Sequence, residues 1–138
     1  MDKKKVILIS HGNLSAGMMN SVGMIIGETK DLTCYGLQPG EMPETIAEAI
    51  EAKIDAQPDT QFIILADLLG GSVSNAVSRL SLRENVHLVN GMNMGLVIGI
   101  LLHQGILSQS ELDQLIDEAK SGMMETHLCF DESDDEII

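Results

Sequence analysis

A chain of 138 residues is long enough for a single domain with a sizeable core. It is 44% hydrophobic but only 2% aromatic, with no Trp. The core must therefore come from Ile, Leu, Val, Met and Ala, which suits helices laid on a sheet, and the same scarcity of aromatic residues argues against single-stranded nucleic-acid binding, which needs stacking platforms. A formal net charge of −13 argues against any polyanion partner, because phosphate backbones call for clustered Lys and Arg, and it favours basic protein partners.

In chain order, Met1-Asp2-Lys3-Lys4-Lys5 leads straight into Val6-Ile7-Leu8-Ile9. Four consecutive apolar residues, three of them β-branched, predict a strand buried on both faces, the mark of a central parallel strand covered by helices. This start is no secretory leader, and no apolar run approaches the roughly 20 residues that span a bilayer, so a cytoplasmic protein is expected. The strand ends at Ser10-His11-Gly12. Leu14–Ile26 then carries Leu14, Met18, Met19, Val22, Ile25 and Ile26 at helical spacing, with Ser15 as N-cap and Gly27 as stop.

Leu32–Tyr35 is a short strand, followed by a turn at Gln38-Pro39-Gly40. Pro43 opens a helix to Ala56 whose inner face is Ile46, Ala47, Ile50 and Ile54. Phe62–Ala66 is a second buried strand, and it ends at Asp67 before Leu68-Leu69-Gly70-Gly71-Ser72. A helix over 72–82 follows, then a strand over 86–89 closed by Asn90-Gly91, then an apolar helix over 93–104. Ser108-Gln109-Ser110-Glu111 is a capping box opening a helix to Lys120. Met123–Phe130 reads as a last strand and Asp131–Glu136 as solvated acidic residues. The domain is expected over 1–130, with 131–138 an acidic tail or the start of a linker. Cys34 and Cys129 lie at no metal or redox spacing and are expected to be reduced, buried thiols.

The order β-α-β-α-β-α-β-α-α-β predicts an α/β fold of three layers. Four parallel strands would run in the order 2-1-3-4, with one antiparallel edge strand from the C-terminal segment. In that order the first and third strands are neighbours, and their carboxyl ends flank the crevice where such sheets collect ligands. His11 and Asp67 occupy those two ends. A carboxylate accepting the Nδ1–H of an imidazole fixes its tautomer and leaves Nε2 free as a nucleophile. Gly70, Gly71 and Ser72 enter a helix, where backbone N–H groups and a hydroxyl can cradle an anion. Nucleophile, orienting carboxylate and anion cradle together suggest phosphoryl transfer onto histidine.

Each piece alone has a plainer meaning: His-Gly as a turn, Asp67 as a loop cap. The other histidines have no such company. His87 opens a strand at the far side of the sheet, His103 complements a helix C-terminus, and His127 lies in the expected edge strand.

Ser10-His11-Gly12 with Ala16-Gly17 and Gly27-Glu28, then Asp67-Leu68-Leu69-Gly70-Gly71-Ser72 with Asn75, resemble the IIA domain (EIIA, mannose/sorbose type) of the bacterial phosphoenolpyruvate-dependent sugar phosphotransferase system. The resemblance runs from the first strand to Phe130. It implies that His11 accepts a phosphoryl group at Nε2 from the phosphocarrier protein HPr and passes it to a IIB domain during sugar uptake. Asp67 would match the carboxylate bonded to that histidine, and Ser72 a hydroxyl near the phosphoryl group. The resemblance also implies a homodimer that exchanges the C-terminal strand, Met123–Phe130, and a link to the membrane only through the sugar permease. No cofactor and no metal are expected.

Two further readings stand beside this one. The phosphotransfer subunit serving dihydroxyacetone kinase also has an early strand-end histidine, and a non-catalytic flavodoxin-like regulatory module would share the fold. The loop after the first strand has neither G-x-G-x-x-G nor a P-loop, no acidic pair of a receiver domain, and no Arg before the histidine as a phosphoglycerate-mutase-like site would want.

Overall fold

The apolar runs at Val6–Ile9 and Phe62–Leu65 form the two inner strands of a parallel sheet, and everything else is laid against them. A computed structural model describes residues 1–130. Its elements are β1 (Lys3–His11), α1 (Leu14–Ile26), β2 (Leu32–Leu37), α2 (Pro43–Ala56), β3 (Thr60–Ala66), α3 (Ser72–Val77) continued by a 3₁₀ segment (Ser78–Leu82), β4 (Val86–Asn90), α4 (Met94–Leu102) and α5 (Gln109–Ser121). The strand order is β2-β1-β3-β4, with all three pairings parallel. The sequence predicts this order and alternation, and both are found.

Alternation along the inner strands divides the core into two layers, because successive side chains leave opposite faces of a sheet. Ile7, Ile9, Phe62 and Ile64 point to one side and pack with Ile46, Ala47, Ile50 and Ile54 of α2 and Val73 and Val77 of α3. Val6, Leu8, Ile63 and Leu65 point to the other and meet Val22 of α1, Leu96, Val97 and Ile100 of α4 and Leu112 of α5. Each fully buried Ile or Leu stabilises the fold by roughly 1.5–3 kcal/mol. Arg79 and Arg83 reach Glu51 at 2.9 Å each, and Arg83 also pairs with Asp55, so the 3₁₀ segment is tied to α2; half-exposed pairs of this kind add little stability.

Helix ends follow local chemistry. Gly27 stops α1 at φ 86°, its N–H donating to Gly23 O, and Pro43 opens α2 at its first turn. Ser108 and Glu111 form the expected reciprocal capping box of α5. Asn93, rather than lying in α4, caps it by accepting from the Leu96 N–H.

Four expectations need correction. Ser15 is not the cap of α1; Asn13 holds that position, and Ser15 is buried in the first turn because its hydroxyl donates to Tyr35 O at 3.0 Å. The helix after the Gly-Gly turn is a short α-helix that tightens into 3₁₀ geometry at Ser78, where the Ser78 and Ser81 hydroxyls donate to backbone carbonyls three residues back. Cys129 is exposed, and only Cys34 is partly enclosed. The antiparallel edge strand is not formed: within the described residues Met123–Phe130 pairs with no strand, and Met123, Met124, Leu128 and Phe130 are all exposed. An isolated strand has no ladder partner to satisfy its backbone. Asp131–Glu136, expected as an acidic tail, lies outside the described residues.

Candidate active site at the carboxyl edge of the sheet

β1 and β3 are paired through Ile9 and Ala66, so the residues leaving these strands meet above the sheet. His11 is the last residue of β1, and Asp67 follows the last residue of β3. One carboxylate oxygen of Asp67 receives two hydrogen bonds from His11, from its backbone N–H at 2.9 Å and from ring Nδ1 at 2.7 Å. The second oxygen accepts the Leu68 N–H at 2.9 Å. The Asp67 side chain is 6% exposed, whereas that of His11 is 49% exposed. Burial pushes the Asp67 carboxyl up. The bonds from the His11 ring and from the two backbone N–H groups, with the charge of the ring, outweigh it and hold the carboxyl below its ordinary value.

An ionised carboxylate only accepts, so Nδ1 carries a proton, and in the neutral form of the ring Nε2 presents its lone pair. Nε2 lies 3.2 Å from Ser72 Oγ, whose O–H donates to it in that neutral form. Ser72 is the first residue of α3. No side chain caps that helix start, and the first intrahelical bond is Asn75 N–H to Gly71 O at 2.9 Å. The N–H groups ahead of Asn75 therefore have no intrahelical acceptor.

The two glycines before Ser72 do different jobs. Gly70 has φ +80°, a conformation that side chains resist, and its carbonyl accepts from Asn75 Nδ2 at 3.2 Å. Gly71 has an ordinary φ of −68°, but a Cβ there would stand 3.2 Å from His11 Cε1. The glycine leaves room for the ring. Its own N–H turns back to Leu68 O at 3.4 Å, so Gly71 supports the cradle by its shape more than by its donor. The structure thus brings together His11, Asp67, Gly70, Gly71 and Ser72.

Sequence reasoning missed the support beneath His11. Gly36 of β2, the register partner of Ser10, has no room for a side chain because a Cβ would come 2.1 Å from Gly12 O. The expected strand stopped at Tyr35, so Gly36 fell just outside it; within the observed strand, Leu32–Leu37, a Gly marks close backbone approach.

The other three histidines stand apart. His87 faces the Gln61 amide at 3.3 Å. His103 follows α4 and pairs with Glu111 at 2.6 Å, a specific partner where the sequence suggests only the helix dipole. His127 is exposed, 3.4 Å from Glu125. A cleft of about 780 Å³ lies between α1 and β2, lined by Met19, Met24, Leu32 and Cys34 among others, away from His11. Among the described residues no group of three or more His, Cys, Asp or Glu is placed to hold a metal, and no helix is long and apolar enough to cross a membrane.

A surface imidazole with a buried carboxylate behind it and open N–H groups beside it can accept a group on Nε2 from a large partner. The model of the EIIA-man family, the PTS system fructose IIA component, matches residues 5–120. The chain belongs to this IIA family. The sorbose-specific EIIA component of Klebsiella pneumoniae is 31% identical over 109 residues, covering 78% of this chain and 80% of that protein. The mannose-specific EIIAB component of Escherichia coli K12 is 26% identical over 99 residues, covering 70% of this chain and 31% of that longer protein. Among solved structures, the PTS IIA protein associated with the fucose utilization operon of Streptococcus pneumoniae aligns with a TM-score of 0.79 at 25% identity, covering 89% of this chain and 93% of its own. The EIIA-man match spans β1 to α5, so this IIA chain carries the site and its support within one family unit.

Proposed function

We propose that the chain is a phosphoryl carrier of the sugar phosphotransferase system, taking the group from phospho-HPr onto Nε2 of His11 and passing it to a IIB domain during sugar uptake. The observation that carries this reading is the line Asp67–His11–Ser72, with 2.7 Å on the Nδ1 side and 3.2 Å on the Nε2 side. In the forward step the Nε2 lone pair forms a bond to phosphorus as the bond to the donor breaks, its electron pair leaving with the donor. The ring then carries a positive charge, which the adjacent Asp67 carboxylate stabilises. The Ser72 O–H, no longer accepted by Nε2, turns to a phosphoryl oxygen, beside the open N–H groups of α3 and the Gly70-Gly71 turn. The return step is the same exchange with the IIB domain as acceptor.

The half-exposed ring suits hand-over between two proteins, since no lid has to open. Exposed Leu14, Leu68 and Leu69 give a partner apolar surface next to the reacting nitrogen. The exposed apolar residues of 123–130 support a homodimer in which this segment crosses to the other subunit and completes a sheet edge there as an antiparallel strand. On this reading the protein works in the cytoplasm and meets the membrane only through the permease.

Incubation with phosphoenolpyruvate, enzyme I and HPr should place an acid-labile, base-stable phosphate on the protein and none on His11→Ala. A IIB domain added afterwards should remove it. An unlabelled wild type, or a labelled His11→Ala, overturns the reading.

A further inference from the structure

We infer that Ser10 and Gly36 are positioning residues for the phosphoryl-accepting nitrogen: together they seat the Gly12 peptide against β2 and so aim the His11 ring at Ser72. The inference rests on His11 being the phosphorylated residue.

Ser10 is 0% exposed and follows four fully enclosed apolar residues of β1. A hydroxyl at that place is costly unless its bonds are made, and both go to the turn beyond His11. Its hydroxyl oxygen accepts the Ser15 N–H at 2.8 Å, and its O–H donates to Gly12 O at 3.3 Å. One hydroxyl thus joins the end of the strand to the Gly12 carbonyl and to the first turn of α1. On the other side, Gly12 N–H donates to Leu37 O at 2.7 Å, and the Ser15 hydroxyl donates to Tyr35 O. The carbonyls flanking Gly36 therefore grip the turn at two points, and the bare Cα of Gly36 admits the Gly12 carbonyl between them.

His11 sits between the two anchored residues, so its Cα has little freedom. Its ring is then held by Asp67 on one side and fitted against Gly71 on the other. Transfer to Nε2 needs alignment with the incoming phosphorus, and an error of about 1 Å in such a group costs on the order of a hundredfold in rate. Loss of the Ser10 hydroxyl releases the turn without touching the ring, Asp67 or Ser72.

The test follows labelling of His11 by phosphoenolpyruvate, enzyme I and HPr, together with ¹⁵N NMR of the four imidazoles. Ser10→Ala should lower the turnover of labelling roughly ten- to hundredfold, with the KM for phospho-HPr little changed. Its His11 ring should lose part of its preference for the Nδ1–H tautomer, while the signals of His87, His103 and His127 stay in place. Ser10→Thr keeps the hydroxyl and should recover both rate and tautomer. A folded Ser10→Ala with wild-type rate and wild-type His11 signal overturns the proposal. Should Ser10→Ala fail to fold, Gly36→Ala is read in the same way, and a wild-type rate there overturns it. A wild type that takes no label sinks the assignment of His11 instead, a result distinct from either of these.

Discussion

Asp67 uses a single carboxylate oxygen to hold both the backbone and the side chain of His11, the N–H at 2.9 Å and Nδ1 at 2.7 Å. The double grip fixes where the last residue of β1 lies and which ring nitrogen keeps its proton. Asp67→Asn leaves a side chain of the same shape but removes the charge and allows the amide to donate. The wrong tautomer then becomes accessible, and the phosphoryl-transfer rate should fall by up to roughly 10⁴-fold, with the fold intact by circular dichroism. A rate within a factor of three of the wild type (a change of only about 0.6 kcal/mol) would falsify an orienting role.

Acid should reach the Asp67 carboxyl late. Burial raises the Asp67 carboxyl, but the hydrogen bonds it receives from His11 and Leu68 hold it below the ordinary range. A carboxyl depressed by folding contributes stability that is complete above its unfolded value of about 3.9 and is lost as pH falls through the lower folded value. A ¹³C carboxyl titration should therefore place the Asp67 midpoint below that of an exposed Asp. In His11→Ala the ring bond is gone while burial persists, so the midpoint should move up. A midpoint that stays put, or falls, contradicts the assigned cause.

Gly71 should prove sensitive for the ring's sake rather than the backbone's. Its φ of −68° is open to any residue, yet a Cβ would stand 3.2 Å from both His11 Cε1 and Leu68 Cδ2. Gly71→Ala should cost less than about 1 kcal/mol in stability while slowing labelling of His11 about tenfold as the ring is displaced. Thermal melting and labelling rate measured on the same sample separate the two. Equal rates with an unchanged imidazole spectrum would show that Leu68 yields and the ring does not.

What could be read from the sequence was whatever depended on neighbours in the chain. α2 has the expected bounds because Pro43, the period of Ile46, Ala47, Ile50 and Ile54, and the break at Gln57-Pro58 are local signals. The same holds for the Ser108–Glu111 capping box. His11 and Asp67 were legible as a pair because strand order alone brings the ends of β1 and β3 together. Gly36 was not, since its need for a bare Cα arises from the Gly12 carbonyl 24 residues earlier. Nor could the period of the last segment tell whether a strand finds a partner within one chain. Thr60 and Gln61 stayed outside the expected third strand because they are polar, yet both are buried in β3.

Gln61 shows what such a residue contributes. Its side-chain oxygen accepts the Leu107 N–H and its amide donates to Leu107 O, each at 2.8 Å, so one amide reproduces a strand-like pairing with the loop between α4 and α5. The same nitrogen lies 3.3 Å from His87 Nε2. Leu107 belongs to the core on the α4–α5 side of the sheet, and Gln61 holds it there. Gln61→Ala would leave a buried N–H and C=O of Leu107 without partners, each such loss costing about 1–3 kcal/mol. Urea unfolding should show a destabilisation of at least about 1 kcal/mol, with protection of the Leu107 amide from hydrogen exchange falling more than that of Ile64. Because α5 also contacts the sheet through Leu112, the variant should remain folded at 25 °C and label on His11 at the wild-type rate. A matching loss of protection at Ile64 would mean that Gln61 supports the whole sheet rather than the α4–α5 loop.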